Sequence, residues 1–486
     1  MEISKKAKIT SFLFVFIVKC ILLLIFIYYS PDKQFFPNKI YANGGDTFSY
    51  IEPMQNYITN GIYYVKAHNE NYYSVRPPHY TIIYLFLQKI GLQKDASFNI
   101  IVLIQIIINS LSIVALSLLI VNITKKKYSY YLMLVILSLT TSMSYFNHYI
   151  LPESLVISCT SLALYCIYKY YFNNNSYYLI LASFLFAFSV QMRPYIVLSL
   201  FIPYFFILII FMRNKDYKSL VRSSLFAFIA MSIIFTPWIY RNYKIYQKIV
   251  PYDYRLYDYY YGKDYQTSVR KAKSEFLNAV GETDTYWDTK CLSSFFEDNN
   301  SRFKQNSLYK FKKDNYSKSI SKDNYNIARE LYLEALKDKG SIYKKNKATN
   351  YFNYLTKLYR KEKPLNYYVF SKIRILKYMI FHNGTYFLPF NFNQSSSFSI
   401  LLKLWKIGEF ILYKSLLILS ILGVVIGIFK KKEEIIFILI PLSVIGISLI
   451  MGIGEYRYFT LSYPVLFLFA IYSTTLIFDR IKQYKL

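Results

Sequence analysis

Long apolar blocks separated by clusters of lysine and arginine constrain this chain more than any other feature. Hydrophobic residues make up 54% of its 486 positions. A helix needs about 20 apolar residues to cross a hydrocarbon core of about 30 Å. The sequence therefore predicts an all-α polytopic membrane protein with about ten transmembrane helices, near residues 9–29, 98–122, 129–146, 153–172, 177–192, 194–212, 222–239, 409–429, 435–452 and 459–478.

The first apolar block could instead belong to a secretory signal, because Lys5, Lys6 and Lys8 precede it. It is longer than the apolar core of a signal peptide, which is about 7 to 15 residues, and no cleavage site of small residues directly follows it. We therefore expect this block to remain as a membrane span.

Basic clusters in three short loops predict the orientation. The clusters at 125–127, 213–222 and 430–432 fall on one side of the membrane, together with both basic ends of the chain. Lysine and arginine near spans favour the cytoplasm. We expect a multi-pass plasma-membrane protein with both termini cytoplasmic. This distribution also accounts for much of the net charge of +30, so nucleic acid is not expected as a partner.

Two polar segments then lie outside, at 30–97 and 243–398. We predict an N-terminal transmembrane module over 1–242, a basic, mostly helical outer loop domain over 243–398, and C-terminal transmembrane helices over 399–486. Residues 240–398 hold 29 lysines and arginines against 15 acidic residues, a net charge of +14. Short amphipathic helices lying against the membrane are predicted at Tyr325–Leu336 (apolar side Ile327, Ala328, Leu331 and Ala335) and at Tyr367–Met379.

Metal and disulfide chemistry is not indicated. Cys20, Cys159 and Cys166 lie in apolar blocks, and Cys291 is alone in a polar region. The nearest approach to a metal-binding acidic triplet is Glu282 with Asp284, far along the chain from the motifs described next. We expect no cofactor and no metal.

The segment GGDTFSY, residues 44–50, follows the first span on its outer side. It opens a predicted helix with apolar positions Phe48, Ile51 and Ile58 and a stop at Gly61. Asp46 stands where a carboxylate can cap that helix. A second outer helix, interfacial or re-entrant, is predicted at 77–92.

Similar motifs stand at the outer ends of other helices. They are RPPHY (76–80), LPE (151–153), QMRP (191–194), PWIYRN (237–242) and GEYRY (454–458). Any one arginine or tryptophan there could be an interfacial anchor. Together, however, they place these ionisable groups on one side of the membrane: Asp46, Glu153, Arg193, Arg241, Glu455 and Arg457.

In the order and sidedness of these motifs the chain resembles the GT-C fold glycosyltransferases, in particular the protein O-mannosyltransferases and lipid A aminoarabinose transferases. The resemblance covers residues 1–242 and GEYRY, whereas 243–398 matches only as a long outer loop. It implies a GT-C-like bundle that transfers sugar from a polyprenyl-phosphate donor, and it implies that Asp46 is catalytic.

The chemistry of these residue types fits that implication. Inverting transfer to a hydroxyl needs one carboxylate as base, and cations that offset the charge of the departing phosphate. Arginine grips phosphate with paired hydrogen bonds. The predicted phosphate ligands are Arg241 first, then Arg193, Arg76 and Arg457. The residues predicted to position groups or to contact the acceptor are Glu153, Glu455, Tyr50 and His79.

Some alternatives remain open. Glu153 could simply be a carboxylate favoured by a helix N-terminus. The acceptor could be a lipid, a glycan or a protein, and the basic outer segment favours an anionic one. A flippase for lipid-linked glycans would need charges along a buried path, but we expect Lys19, Lys169, Glu409 and Lys414 to lie mostly near enough to helix ends to reach the interface. A glycan polymerase or ligase would place its charged cluster in late outer loops instead of the first.

Overall fold

A computed structural model describes residues 3–29, 39–252, 269–280, 322–337, 341–380, 399–451 and 455–484. These residues are mostly helical, with one antiparallel pair of strands, Val65–Ala67 (β1) and Glu70–Tyr72 (β2). The chain forms two compact units. The first contains 1–254, 383–444 and 460–486, and the second contains 255–382 and 445–459.

Seventeen α-helices occur in the described ranges. In chain order they are α1 (Lys5–Tyr29), α2 (Thr47–Asn60), α3 (Ile82–Lys89), α4 (Lys94–Thr124), α5 (Lys127–Leu139), α6 (Glu153–Asn173), α7 (Ser176–Met192), α8 (Ile202–Asn214), α9 (Tyr217–Tyr246), α10 (Val269–Ala279), α11 (Lys322–Lys337), α12 (Ile342–Glu362), α13 (Ser371–Ile380), α14 (Ser399–Phe429), α15 (Leu439–Met451), α16 (Tyr456–Phe459) and α17 (Tyr463–Tyr484).

Eight of the described helices or helix runs are long and apolar enough to cross a membrane. They lie at 5–28, 94–124, 153–173, 194–214, 217–246, 403–429, 433–451 and 456–483. A ninth candidate is α5 with the residues up to Asn147, bent by 75°. The predicted span at 177–192 falls in α7, which is 17 residues long. The chain is thus an all-α polytopic membrane protein, and the count of ten spans stays a prediction.

Tight turns set the direction of successive helices in the first unit. Lys125, Asn174 and Lys215 each follow a helix with a left-handed backbone, at φ 61°, 51° and 55°. In each turn the amide of that residue donates back to a carbonyl of the preceding helix, which ends the helix within one residue. The chain therefore reverses at one end of the bundle, and residues 147–153 and 192–194 lie at the opposite end.

Helix α2 confirms the predicted helix after GGDTFSY, and Gly61 ends it with φ 72° and a hydrogen bond from its amide to the Tyr57 carbonyl. Its three apolar positions differ in their surroundings. Ile51 is buried, but Phe48 and Ile58 are exposed. The buried face runs through Tyr50, Ile51 and Met54 instead, because α2 packs against Pro78–Thr81, α3 and β1. The stretch at 77–92 forms a 3-10 turn, Pro78–Thr81, followed by α3, and α3 is too short to span a membrane.

Lys19 and Glu409 contradict the expectation that charges within the spans reach the interface. Their exposed fractions are only 1% and 7%. Lys19 donates hydrogen bonds to the Leu137 carbonyl and the Ser144 hydroxyl, so its ammonium group stays inside the protein.

In the second unit, α10, α11 and α12 pack on one another around Phe276, Tyr332 and Phe352. Three residues of the predicted apolar side of Tyr325–Leu336 face this core, because Ala328 and Ala335 are buried in it and Leu331 packs against it. Contact of this helix with the membrane stays a prediction. Ile327 is exposed, and Tyr325 and Tyr332 are buried in this small core. Much of the predicted outer domain lies outside the described residues, including Cys291, Glu282 and Asp284.

Orientation can be tested at the two ends of α9. We replace Cys291 by serine and introduce either Asn214→Cys or Lys248→Cys, both at exposed positions. Because the basic turn at 213–222 is expected inside, a membrane-impermeant maleimide should label Lys248→Cys in intact cells. It should label Asn214→Cys only after permeabilisation. Labelling of Asn214→Cys in intact cells would contradict the predicted orientation and place this turn outside.

Candidate active site

Backbone hydrogen bonds attach the GGDTFSY loop to the segment that precedes α6. The Ala42 amide donates to the His148 carbonyl (2.8 Å), and the Ile150 amide donates to the Ala42 carbonyl (3.0 Å). This short parallel bridge brings together two motifs about 100 residues apart in sequence. The hydroxyl of Thr47 adds a third connection, because it accepts from the Gly44 amide and donates to the Ile150 carbonyl.

Gly44 packs directly against the Leu151 side chain at this close approach. A Cβ atom at this position would lie 2.6 Å from Cδ1 of Leu151, the first residue of the LPE motif. A larger residue would require the Leu151 side chain to move, so Gly44 allows the close packing of GGDTFSY against LPE.

Asp46 occupies the N-cap position of α2, but its side chain makes no capping hydrogen bond. Its Oδ2 lies 3.7 Å from Nη2 of Arg193 and 3.9 Å from Nη2 of Arg76. The Asp46 side chain is 15% exposed. The structure therefore places the predicted catalytic carboxylate between two of the four predicted phosphate ligands.

Arg193 also forms an ion pair with Glu153. The Nη2 of Arg193 and Oε1 of Glu153 are 2.5 Å apart, and both side chains are almost fully excluded from solvent. Arg193 follows the last residue of α7, and Glu153 is the first residue of α6. Since α6 and α7 pack along each other, the ion pair joins their adjacent ends. Glu153 thus contacts Arg193 and fixes its guanidinium.

Tyr50 lies one helical turn after Asp46. Its ring is 4.9 Å from the guanidinium carbon of Arg76 and 5.5 Å from that of Arg193, within the range of cation–π attraction. Burial raises the pKa of Tyr50 to about 12, and the two nearby arginines offset only part of this effect. The ring is therefore neutral, and both guanidinium groups pack near it.

Ser49 links Arg76 to the loop, a role that motif analysis missed. The Nε of Arg76 donates to the Ser49 hydroxyl (3.4 Å), which donates to the Asp46 carbonyl (2.7 Å). The Tyr63 hydroxyl in turn donates to the Arg76 carbonyl. Ser49 lies inside GGDTFSY, and its position in that motif is the sequence feature that could have indicated this role.

Arg241, the first choice among the phosphate ligands, has a different environment. Its Nη1 donates to the Tyr73 carbonyl (2.8 Å), and its Nη2 donates to the Tyr63 carbonyl (2.7 Å). Its guanidinium carbon lies 5.0 Å from the ring of Trp238. These carbonyls flank the β1–β2 hairpin, so Arg241 fastens that hairpin to α9.

His79 is likewise engaged with the backbone. Its Nε2 is 3.1 Å from the Ile234 carbonyl, and its ring packs edge-on against Phe188. Burial lowers the pKa of His79 to about 4. The neutral ring donates to this carbonyl, a contact that connects the 3-10 turn at Pro78–Thr81 to α9.

Glu455 and Arg457 belong to the second unit, where they pair with each other. The Nε of Arg457 lies 2.5 Å from Oε2 of Glu455, and its Nη2 donates to the Tyr458 hydroxyl. Within the described ranges, no group of three histidine, cysteine or acidic side chains is arranged to hold a metal ion.

Neither a protein-family profile nor a curated protein sequence matches this chain. Any assignment of activity therefore rests on the residues and geometry described above.

Proposed function

We propose that this chain is a membrane glycosyltransferase of the GT-C type. It transfers a sugar from a polyprenyl-phosphate donor to a lipid, glycan or protein acceptor at the outer face of the plasma membrane. Both termini are then cytoplasmic, and about ten helices form the bundle. The observation that carries the proposal is the Asp46 carboxylate, held in the first outer loop beside the guanidinium groups of Arg193 and Arg76.

The reaction assigns Asp46 the role of base. The acceptor hydroxyl attacks the anomeric carbon from the face opposite the phosphate, and its proton passes to the Asp46 carboxylate. The bond from the anomeric carbon to the phosphate oxygen breaks, and the electron pair leaves with the polyprenyl phosphate. One inversion results, and no general acid is needed if cations stabilise the leaving phosphate.

The two arginines beside Asp46 have different surroundings and so receive different roles. Arg193 is the more deeply buried, and Glu153 already compensates its charge, so Arg193 orients Asp46. Arg76 is 8% exposed and is attached to the loop through Ser49, which makes it the better candidate for the donor phosphate. Arg241 ranks behind both because its two terminal nitrogens donate to backbone carbonyls.

One observation favours a second candidate, a flippase for lipid-linked glycans. Lys19 and Glu409 are ionisable groups buried within membrane-spanning helices, as a transport pathway would require. Both, however, bind backbone groups at a helix break, which gives them a structural role that needs no transport path. We therefore favour the transferase.

Replacing Asp46 tests the proposed base directly. Asp46→Asn keeps the size of the side chain but cannot accept a proton at neutral pH. We expect turnover to fall by a factor of about 10² or more, the usual contribution of a general base, in membranes supplied with radiolabelled polyprenyl-phosphate sugars. The matched control is Asp95→Asn, which alters a half-exposed carboxylate elsewhere in the outer segment. Near-normal turnover of Asp46→Asn would exclude this role.

A pair of arginine-to-lysine variants separates phosphate binding from structure. Arg76→Lys keeps the charge but loses the planar fork, so we expect weaker donor binding and turnover, with a smaller loss of thermal stability than in Arg241→Lys. Arg241→Lys cannot reach both the Tyr63 and Tyr73 carbonyls, so we expect lower thermal stability with an unchanged KM for the donor. The measurements are donor kinetics and melting curves in detergent. The opposite pattern would indicate that Arg241, and not Arg76, binds the donor phosphate.

A further inference from the structure

The hydrogen-bond ladder of α5 breaks inside the membrane-spanning region. Its last regular bond runs from the Thr140 amide to the Ile136 carbonyl, and Thr140 then adopts an extended backbone. The next bond would join the Thr141 amide to the Leu137 carbonyl. Instead the chain bends by 75° and continues through 3-10 turns at Thr141–Met143 and Tyr145–Asn147.

Two charged side chains take over the two ends of that missing bond. Lys19 of α1 donates from Nζ to the Leu137 carbonyl (2.8 Å) and to the Ser144 hydroxyl (2.7 Å). Glu409 of α14 accepts from the Thr141 amide through Oε1 (3.0 Å). Lys19 therefore replaces the lost donor, and Glu409 replaces the lost acceptor.

The setting makes this replacement necessary. Lys19 and Glu409 are both buried, and a backbone amide or carbonyl in a membrane interior is costly unless it is hydrogen-bonded. A lone buried charge is also costly, and the opposite charges of Lys19 and Glu409 reduce that cost through their mutual attraction. Two residues nearly 400 positions apart thus stabilise one break.

The break leads directly to the candidate active site. A few residues beyond it, His148 and Ile150 form the bridge to Ala42 that holds the Asp46 loop. Glu153, which binds Arg193, begins α6 immediately afterwards. Without the bend at Thr140, residues 148–153 would continue away from this loop.

We propose that Lys19 and Glu409 act together as a charged splice, a pair of side chains that substitutes for the Leu137–Thr141 backbone hydrogen bond and fixes the bend. They are thereby positioning residues for the Asp46 loop. The role of the splice in sugar transfer rests on the proposed function, whereas the splice itself and its effect on the loop do not.

An ordinary buried ion pair predicts different consequences. If charge neutralisation were the main role, Glu409→Gln and Glu409→Leu would be equally harmful, because both leave the Lys19 charge without its counterion. Replacing both partners by apolar residues would then restore stability, as it does for many buried pairs. A splice predicts the reverse. The side-chain carbonyl introduced by Glu409→Gln still accepts from the Thr141 amide, whereas the apolar double variant leaves two backbone groups without partners.

Melting curves of the full-length protein in detergent distinguish these possibilities. We expect Glu409→Leu and Lys19→Met to lower Tm by more than about 4 °C, with Glu409→Gln within about 2 °C of the parent. The double variant Lys19→Met/Glu409→Leu should be no more stable than the weaker single variant. Lys414→Met, on the same helix as Glu409, is the matched control. Equal losses in Glu409→Gln and Glu409→Leu, or recovery in the double variant, would overturn the splice. If Glu409→Leu fails to fold while Glu409→Gln does fold, the splice is still supported.

Positioning is measured separately by a cross-link that needs no sugar transfer. Ala42→Cys and Tyr149→Cys are placed on the two sides of the bridge, with the four native cysteines replaced. We expect disulfide formation to be about tenfold slower when the double-cysteine protein also carries Lys19→Met and still folds. With Glu409→Gln in place of Lys19→Met, we expect the rate to be near that of the parent. An unchanged rate with Lys19→Met would refute the positioning role. Because neither measurement uses a glycosyl donor, loss of the Asp46 hypothesis would leave both results interpretable.

Discussion

The buried ion pair between Arg193 and Glu153 is the contact on which the candidate site depends. A charged guanidinium that is 2% exposed is costly to bury without a partner, and Glu153 provides one at the adjacent helix end. The pair therefore fixes the ends of α6 and α7 relative to each other, and it holds Nη2 of Arg193 3.7 Å from Oδ2 of Asp46. Removing either partner would leave an uncompensated buried charge, at a cost of about 3–5 kcal/mol.

The end of the first unit that carries Asp46 has a second requirement, which is to satisfy backbone groups of turns and of the β1–β2 hairpin. Two side chains do so there. Arg241 donates to two carbonyls beside the β1–β2 hairpin, and Trp238 donates to the Tyr252 carbonyl. His79 donates to a carbonyl inside α9, that of Ile234. Irregular backbone lacks the internal hydrogen bonds with which a regular helix satisfies its own carbonyls, so side chains take that role here. Several charged and aromatic residues of the motifs are therefore structural supports.

The sequence could predict the membrane class, because hydropathy reports directly on length and composition of the spans. It also predicted α2 with its stop at Gly61, and the proximity of Asp46 to Arg193, since the order and sidedness of the motifs put both at one end of the bundle. It could not show that Arg76 lies beside Asp46 whereas Arg241 binds backbone carbonyls. That difference depends on which arginine has carbonyl acceptors within reach, and these come from turns distant in sequence. The run Thr140-Thr141-Ser142 carried a weak signal of the break, because such hydroxyls compete for backbone carbonyls, but nothing local pointed to Lys19 or Glu409.

The charges of the four ionisable groups around Asp46 affect how the proposed reaction would proceed. Asp46 and Glu153 carry two negative charges, and Arg76 and Arg193 carry two positive charges, so the four groups are balanced before a substrate binds. Guanidinium groups close to a carboxylate stabilise its charged form, which keeps a base deprotonated but opposes its uptake of a proton. A donor phosphate that binds Arg76 would neutralise part of the positive charge near Asp46. Binding of the donor would then make proton transfer to Asp46 easier, so that the base becomes effective when the sugar is in place.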